Sequence, residues 1–249
     1  MSPAKELRFF DTYPRWEKGP QWYARYFRRG RSYRYRGEAT PTYLSSPAAP
    51  GRIAQVLPGV RLIAILREPA ARAYSEYNHV LGWGAQLPPF EAIVNQCGGM
   101  PSAEDDPFLW KSRYLPQLKA YADAFPRDQL LVILFEDLQR DPGATFARIC
   151  AFLDLESWLP ANLGTVYNKS RRLRSPVARQ FMEVVWTFFP EPLMEWLDRL
   201  NSVPVNYPKL SPQVARRVAD MFAEENAELA SWLELDLSTW DITEDSLPA

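Results

Sequence analysis

The sequence of 249 residues contains only one histidine and two cysteines, and this scarcity limits the chemistry it can support. Cys97 and Cys150 lack the spacing of metal ligands, and two cysteines are too few for a disulfide framework. His79 alone cannot build a histidine-based metal centre. We therefore expect no metal cofactor.

Long apolar runs and a strong net charge are also missing. No stretch of 18 apolar residues and no secretory leader is present, so we expect no membrane span and a cytoplasmic location. If Met1 is not the true translation start, an N-terminal targeting segment could precede it. The formal net charge of −1 lacks the basic excess of nucleic-acid-binding domains, so no nucleic-acid partner is expected.

What the chain does contain is 47% apolar and 14% aromatic residues, enough for a folded globular core. We expect a single domain over residues 1–249. Short apolar runs alternate with amphipathic segments, a pattern typical of α/β proteins with a parallel sheet. The predicted strands are residues 34–38, 61–66 and 129–135, and the main predicted helices are residues 21–27, 47–57, 70–81, 88–95, 113–125, 141–153 and 212–233, the last in a helical C-terminal region.

The first candidate site follows the predicted strand at residues 61–66. That strand places Arg67 at its carboxyl end, the edge at which open α/β sheets bind ligands. Ser75 lies in the second turn of the following helix, so its hydroxyl and the Arg67 guanidinium could meet on one phosphate. The alternative is an arginine that caps the strand or pairs with Glu68, beside a serine on a helix surface. Spacing alone leaves both open.

The second candidate site lies near the N-terminus. If the backbone from Glu6 to Phe10 is extended, Glu6 and Arg8 point to the same face, and Asp11 follows closely. A carboxylate beside an arginine stays ionised and can act as a base. The alternative is a solvated N-terminal stretch with Phe9 or Phe10 in the core.

A basic run after Asn168 is a third candidate. Its members could hold an anionic ligand, or they could form an ordinary solvated charged segment. They are Lys169, Arg171, Arg172 and Arg174.

Six segments, in order, resemble those of heparan-sulfate-type sulfotransferases and their bacterial relatives. Each segment is weak alone, but six in the correct order over about residues 5–168 are a strong signal. They are KELRFFD (5–11), EKGPQWY (17–23), GEATPTY (37–43), LREPAARAYSEY (66–77), LLVILFEDLQRDP (130–142) and YNKS (167–170).

The resemblance implies a P-loop-like α/β fold and transfer of a sulfuryl group from 3′-phosphoadenosine 5′-phosphosulfate (PAPS), with PAP as product and no metal. The acceptor would be a hydroxyl or amine of a carbohydrate, lipid or small molecule. By the same resemblance Arg67 and Ser75 would bind the 3′-phosphate that distinguishes PAPS from ATP. Tyr167, Lys169 and Arg172 would cover the donor.

On the acceptor side, the resemblance makes Glu6 the base that takes the acceptor proton. Arg8 and Asp11 would place the acceptor or orient Glu6. Arg8 stands where heparan-type members often have histidine, and Ala39 where they often have lysine, which would alter the acceptor class.

One family element has no counterpart in the chain. The first strand and its G-x-x-K-x-G-T phosphate loop would precede Lys5, where four residues stand and none is glycine. We therefore expect an N-terminally truncated domain with an open sheet edge, self-association through that edge, and poor sulfate transfer. The alternative function is a relative that binds adenosine 3′-phosphate ligands or a partner without turnover.

Overall fold

The computed structural model of the protein describes residues 2, 6–30, 32–103, 106, 108–156, 158–160, 163, 171–175, 193, 197 and 200–241. The chain divides into two compact units. Unit 1 contains Met1–Leu66 and Tyr114–Pro160, and unit 2 contains Arg67–Arg113 and Ala161–Ala249. That residues 1–249 act as one domain stays a prediction.

Unit 1 is built around a parallel pair of strands. Strand β1 (Leu62–Leu66) pairs with β2 (Leu130–Leu134), with Leu62 opposite Leu130 and Leu66 opposite Leu134. Both strands lie within one residue of their predicted bounds, which confirms the parallel α/β arrangement. β2 is almost wholly buried, whereas β1 leaves Ile63 40% and Ile65 50% exposed. Those two isoleucines are apolar surface available for the predicted self-association, which stays a prediction.

The helices account for most of the remaining regular structure. They are α1 (Tyr13–Trp16), α2 (Gly19–Ala24), α3 (Ala49–Val56), α4 (Pro69–Gly82), α5 (Phe90–Gln96), α6 (Tyr114–Ala124), α7 (Phe135–Arg140), α8 (Pro142–Phe152) and α9 (Pro212–Leu233). Short 3₁₀ segments occur at Arg25–Gly30, Pro41–Tyr43, Leu109–Ser112, Arg127–Gln129 and Ser238–Trp240. Within these described segments, no helix has the length and apolar character needed to cross a bilayer.

Helices α8 and α9 begin at residues whose side chains cap them. The Asp141 carboxylate accepts the Ala144 amide at 2.9 Å at the start of α8, as predicted. The Ser211 hydroxyl accepts the Val214 amide at 3.3 Å at the start of α9. Proline occupies the first turn of both helices, where its missing N–H costs no intrahelical bond.

The predicted strand at residues 34–38 is wrong, because this segment is irregular. Residues 32–36 are all exposed, so the alternating tyrosines and arginines have no apolar face to bury against a neighbour. The chain turns here instead, with the Tyr33 amide donating to the Gly30 carbonyl at 3.0 Å.

Unit 2 has a helical core and a small second sheet. Helices α4, α5 and α9 pack together through side chains such as Tyr77, Phe90 and Phe222. Strand β3 (Arg171–Leu173) pairs antiparallel with β4 (Ser202–Pro204), and β3 packs against α4. The basic run predicted from sequence therefore includes a strand.

Candidate active site

Buried aromatic rings anchor the turn that contains the predicted acceptor-side residues. Phe9 is 0% and Phe10 1% exposed, and Leu7 is 2% exposed. Glu6 and Arg8 alternate with these residues and are exposed. The two phenylalanines contact a cluster of rings formed by Trp16, Trp22, Tyr23 and Tyr43. The apolar side chains therefore fix the turn while its charged residues face solvent.

The backbone of this turn is not extended, contrary to the condition on which the sequence interpretation depended. Glu6 and Arg8 both have φ of 48°, in the left-handed region. Such a conformation costs on the order of 1–3 kcal/mol for a non-glycine residue and persists only where surrounding contacts impose it. The Arg15 guanidinium supplies one of these contacts by donating to the Glu6 and Leu7 carbonyls.

Arg8 pairs with Asp11 in this turn. The Arg8 Nε donates to the Asp11 carboxylate at 3.2 Å, and the Asp11 side chain is only 4% exposed. The hydroxyls of Thr42 and Thr12 also donate to Asp11. Asp11 is therefore a buried anchor that orients the 45%-exposed Arg8. Over the described part of the chain, no hydrogen bond engages the exposed Glu6 carboxylate, so its oxygens remain accessible to a ligand.

Glu38 is the centre of a hydrogen-bond network behind the turn. Its carboxylate accepts from the Tyr43 hydroxyl at 3.0 Å and from the Thr40 hydroxyl at 2.9 Å, and the Tyr23 hydroxyl also bonds to it. The Tyr43 oxygen in turn accepts the Phe9 amide at 2.9 Å. The segment 37–43 resembles a family segment, but its sequence pattern predicts no role for Glu38 or Tyr43.

Burial and the nearby Glu38 charge raise the pKa of Tyr23 and of Tyr43 well above the ordinary tyrosine value. Both hydroxyls therefore remain protonated throughout the physiological range and act as permanent donors to Glu38. The network thus links the Phe9 amide to Glu38 through the Tyr43 hydroxyl.

Two further helices hold the other side of the turn. Arg52 of α3 donates to the Phe10 carbonyl at 2.9 Å and lies 5.1 Å from the Trp16 ring centre. The Tyr121 hydroxyl of α6 donates to the Tyr43 carbonyl at 2.8 Å. The turn is therefore supported by contacts from segments far apart in the chain.

Removal of one hydroxyl tests this support. Tyr43→Phe should lower the free energy of unfolding by about 1–3 kcal/mol. The substitution leaves the buried Phe9 amide without an acceptor and removes a hydrogen-bond donor to Glu38. Chemical denaturation monitored by tryptophan fluorescence measures the change. Tyr33→Phe is the matched control, since Tyr33 is 71% exposed and should tolerate the loss of its hydroxyl. Equal stabilities of the two variants would contradict the network's structural importance.

The predicted donor-side residues lie at the start of unit 2. Arg67 directly follows β1 and is partly buried, and Ser75 lies exposed on the second turn of α4. The Glu68 carboxylate caps α4 by accepting the Ala70 and Ala71 amides at 2.8 and 2.6 Å. Because these amides are already bonded, an anion near this helix end would depend on side-chain ligands such as Arg67 and Ser75.

Arg72, between them, has a structural role. Its guanidinium donates to the Ser112 hydroxyl at 2.6 Å, to Glu76 at 2.8 Å and to the Phe108 carbonyl. These bonds join α4 to the segment that leads into residues 109–112. They fix the helix on which Ser75 is displayed.

Arg172 is exposed in β3, the strand that packs against α4. It therefore belongs to the same unit as Ser75, on a neighbouring element. Tyr167 and Lys169, the other predicted donor-covering residues, lie outside the described residues.

The fold defines the class of protein. The crystal structure of a sulfotransferase from Alicyclobacillus acidocaldarius matches this structure with a TM-score of 0.68 and 23% sequence identity, covering 97% of this chain and 87% of that chain. This likeness establishes a sulfotransferase fold, in agreement with the predicted P-loop-like α/β class. Residues 7–160 match the model of the Sulfotransferase family, and the chain belongs to that family.

Curated relatives share part of the chain. Human bifunctional heparan sulfate N-deacetylase/N-sulfotransferase 2 is 29% identical over 166 residues, which cover 64% of this chain and 19% of the relative. Mouse heparan sulfate glucosamine 3-O-sulfotransferase 3B1 is 29% identical over 157 residues, which cover 61% of this chain and 38% of that relative. Human heparan sulfate glucosamine 3-O-sulfotransferase 6 is 30% identical over 151 residues, which cover 61% of this chain and 44% of that relative. The chain thus spans less than half the length of these relatives.

Proposed function

We propose that this protein transfers a sulfuryl group from PAPS to a hydroxyl or amine of a carbohydrate acceptor. The observation that carries the proposal is the position of Arg67 between the end of β1 and the start of α4, with Ser75 exposed on α4. The chain also belongs to the sulfotransferase family. The names of the curated relatives, which refer to heparan sulfate, favour a sugar over a lipid acceptor.

The donor is held through its 3′-phosphate. Arg67 contributes a guanidinium that suits bidentate contact with phosphate oxygens, and Ser75 contributes a hydroxyl donor. Arg172 adds a second cation on the strand beside α4. These hydrogen-bond donors fit a dianionic phosphate. They do not require the first amides of α4, which donate to the Glu68 carboxylate.

On the acceptor side, the exposed Glu6 carboxylate takes the proton of the attacking group. A bond forms between the acceptor oxygen or nitrogen and sulfur while the bond from sulfur to the 5′-phosphate oxygen breaks, and its electron pair leaves with PAP. Arg8 is held by Asp11 and places a positive charge two residues after Glu6. This charge helps to position an electron-rich acceptor. Asp11 acts through Arg8 as a positioning residue.

The matched pair PAP and AMP tests donor recognition, because AMP is PAP without the 3′-phosphate. We expect PAP to bind at least about 10-fold more tightly than AMP in calorimetric titrations, from charge-assisted hydrogen bonds to one phosphate. Transfer of ³⁵S from labelled PAPS to a panel of glycans tests turnover. Equal affinities for PAP and AMP would contradict the donor site, and tight PAP binding without transfer would favour the non-catalytic alternative.

A further inference from the structure

Basic residues are concentrated in one stretch of unit 1. Residues 18–37 contain seven lysines and arginines and no aspartate or glutamate. The remainder of the chain then has 22 basic against 30 acidic residues, a net charge of −8. The near-neutral total charge therefore conceals a strongly positive segment on an otherwise acidic protein.

The cations of this segment form a surface. Lys18, Arg25, Arg28, Arg29 and Arg36, here called the basic surface, are all exposed. Arg28 and Arg29 lie in the 3₁₀ segment that ends at Gly30, and the chain then turns back. A Cβ built at Gly30 would lie 3.3 Å from Cγ of Arg36, so Arg36 returns to the end of that segment.

Aromatic side chains accompany these cations in two different ways. The Trp22 ring is already covered, with Lys18 Nζ at 5.1 Å and Arg25 Cζ at 4.8 Å from its centre. Tyr35 is 38% exposed and has Arg34 Cζ 5.5 Å from its ring centre, whereas Tyr33 is 71% exposed. Cations therefore cover the Trp22 and Tyr35 rings, and a sugar ring or a nucleobase could not stack on those faces without displacing them. The exposed Tyr33 ring among arginines matches the composition of a membrane–water interface.

A solvent-exposed ion pair links the segment that carries these tyrosines to the end of α8. The Arg34 guanidinium bonds to the carboxylate and the carbonyl of Asp154, just beyond α8. Arg34 is therefore not counted in the basic surface. Its side chain contacts unit 1, while the neighbouring Arg36 stays exposed.

We propose that the basic surface docks this protein on a bilayer that contains acidic phospholipids. The arginines and the lysine contact the phosphate groups of the lipids, and Tyr33 enters the interfacial layer. A polybasic segment gains affinity for an acidic leaflet with each cation near the surface, and the attraction falls off within a Debye length. This inference does not depend on the proposed sulfate transfer, because none of its residues belongs to the donor or acceptor site.

Co-sedimentation with vesicles tests the proposal. The full chain should sediment with phosphatidylcholine vesicles that contain about 30% phosphatidylglycerol, but not with pure phosphatidylcholine, and should be released by high salt. The triple variant Arg28→Ala/Arg29→Ala/Arg36→Ala should lower the partition coefficient by about 100-fold, from the typical contribution of each basic residue. The control Arg140→Ala/Arg148→Ala/Arg216→Ala removes three exposed arginines elsewhere and should change it little.

A second variant distinguishes binding to a bilayer from binding to a soluble polyanion. It retains every charge of the basic surface. Tyr33→Ser should weaken vesicle binding and leave binding to fluorescent heparin unchanged, because only a bilayer has an interfacial layer for the ring. Thermal unfolding verifies that the variants remain folded. Absence of sedimentation with acidic vesicles, equal loss in the two triple variants, or heparin binding without vesicle binding would overturn the proposal.

Discussion

Glu6→Gln is expected to slow sulfuryl transfer by about 10²–10⁴-fold, the usual contribution of a general base. The substitution preserves the size of the side chain and removes its ability to accept the acceptor proton. Affinity for PAP, measured by calorimetry, should be unchanged because Glu6 is not a donor ligand in the proposed function. The rate is measured with saturating ³⁵S-labelled PAPS and acceptor.

Glu17→Gln provides the matched control. Glu17 is an exposed carboxylate at the end of α1 in the same unit, and its amide variant should transfer sulfate at the parental rate. If Glu6→Gln retains more than a tenth of the parental rate, another group removes the proton. If both variants lose activity equally, the loss reflects charge or stability, and Glu6 has no special role.

Arg67→Ala is expected to weaken PAP binding by about 1.5–3 kcal/mol, the usual range for a hydrogen bond to a charged group. The loss should nearly vanish for adenosine 5′-phosphosulfate, which lacks the 3′-phosphate. Arg67→Lys should fall between the parent and the alanine variant, because lysine keeps the charge without the planar, bidentate geometry. Calorimetric titration with both ligands measures these differences.

Arg61 offers a control at the opposite end of the same strand. It precedes β1, and its guanidinium donates to the Asp128 carbonyl at 2.6 Å. Arg61→Ala should leave PAP affinity unchanged even if it lowers stability. Comparable losses for PAP and adenosine 5′-phosphosulfate in Arg67→Ala would show that Arg67 serves the fold, or a different ligand, and not the 3′-phosphate.

Local sequence signals predicted β1, β2 and the longer helices, but they missed β3 and β4 and wrongly gave a strand at residues 34–38. The runs LIAIL and LLVIL are short, apolar and rich in β-branched or large residues, so their burial and pairing could be anticipated. Asp141 followed by Pro142 marks the start of α8 because both residues act within one helical turn. Such signals depend only on neighbours in the chain.

The acceptor-side turn could not be predicted in the same way. Its left-handed backbone at Glu6 and Arg8 is imposed by Arg15, Tyr43 and Arg52, of which the latter two are more than 30 residues away. No local propensity favours this conformation in glutamate or arginine. The prediction that Glu6, Arg8 and Asp11 share one site came from family resemblance, and only the fold revealed that Arg8 pairs with Asp11.

The pairing of β1 with β2 has a consequence for synthesis of the chain. Leu62 lies opposite Leu130, 68 positions later, so β1 leaves the ribosome well before its partner exists. At typical elongation rates of about 5–20 residues per second, the delay is roughly 3–14 seconds. During that time the nascent segment LIAIL is an apolar stretch that lacks its strand partner. This window makes β1 a natural site for chaperone capture during translation.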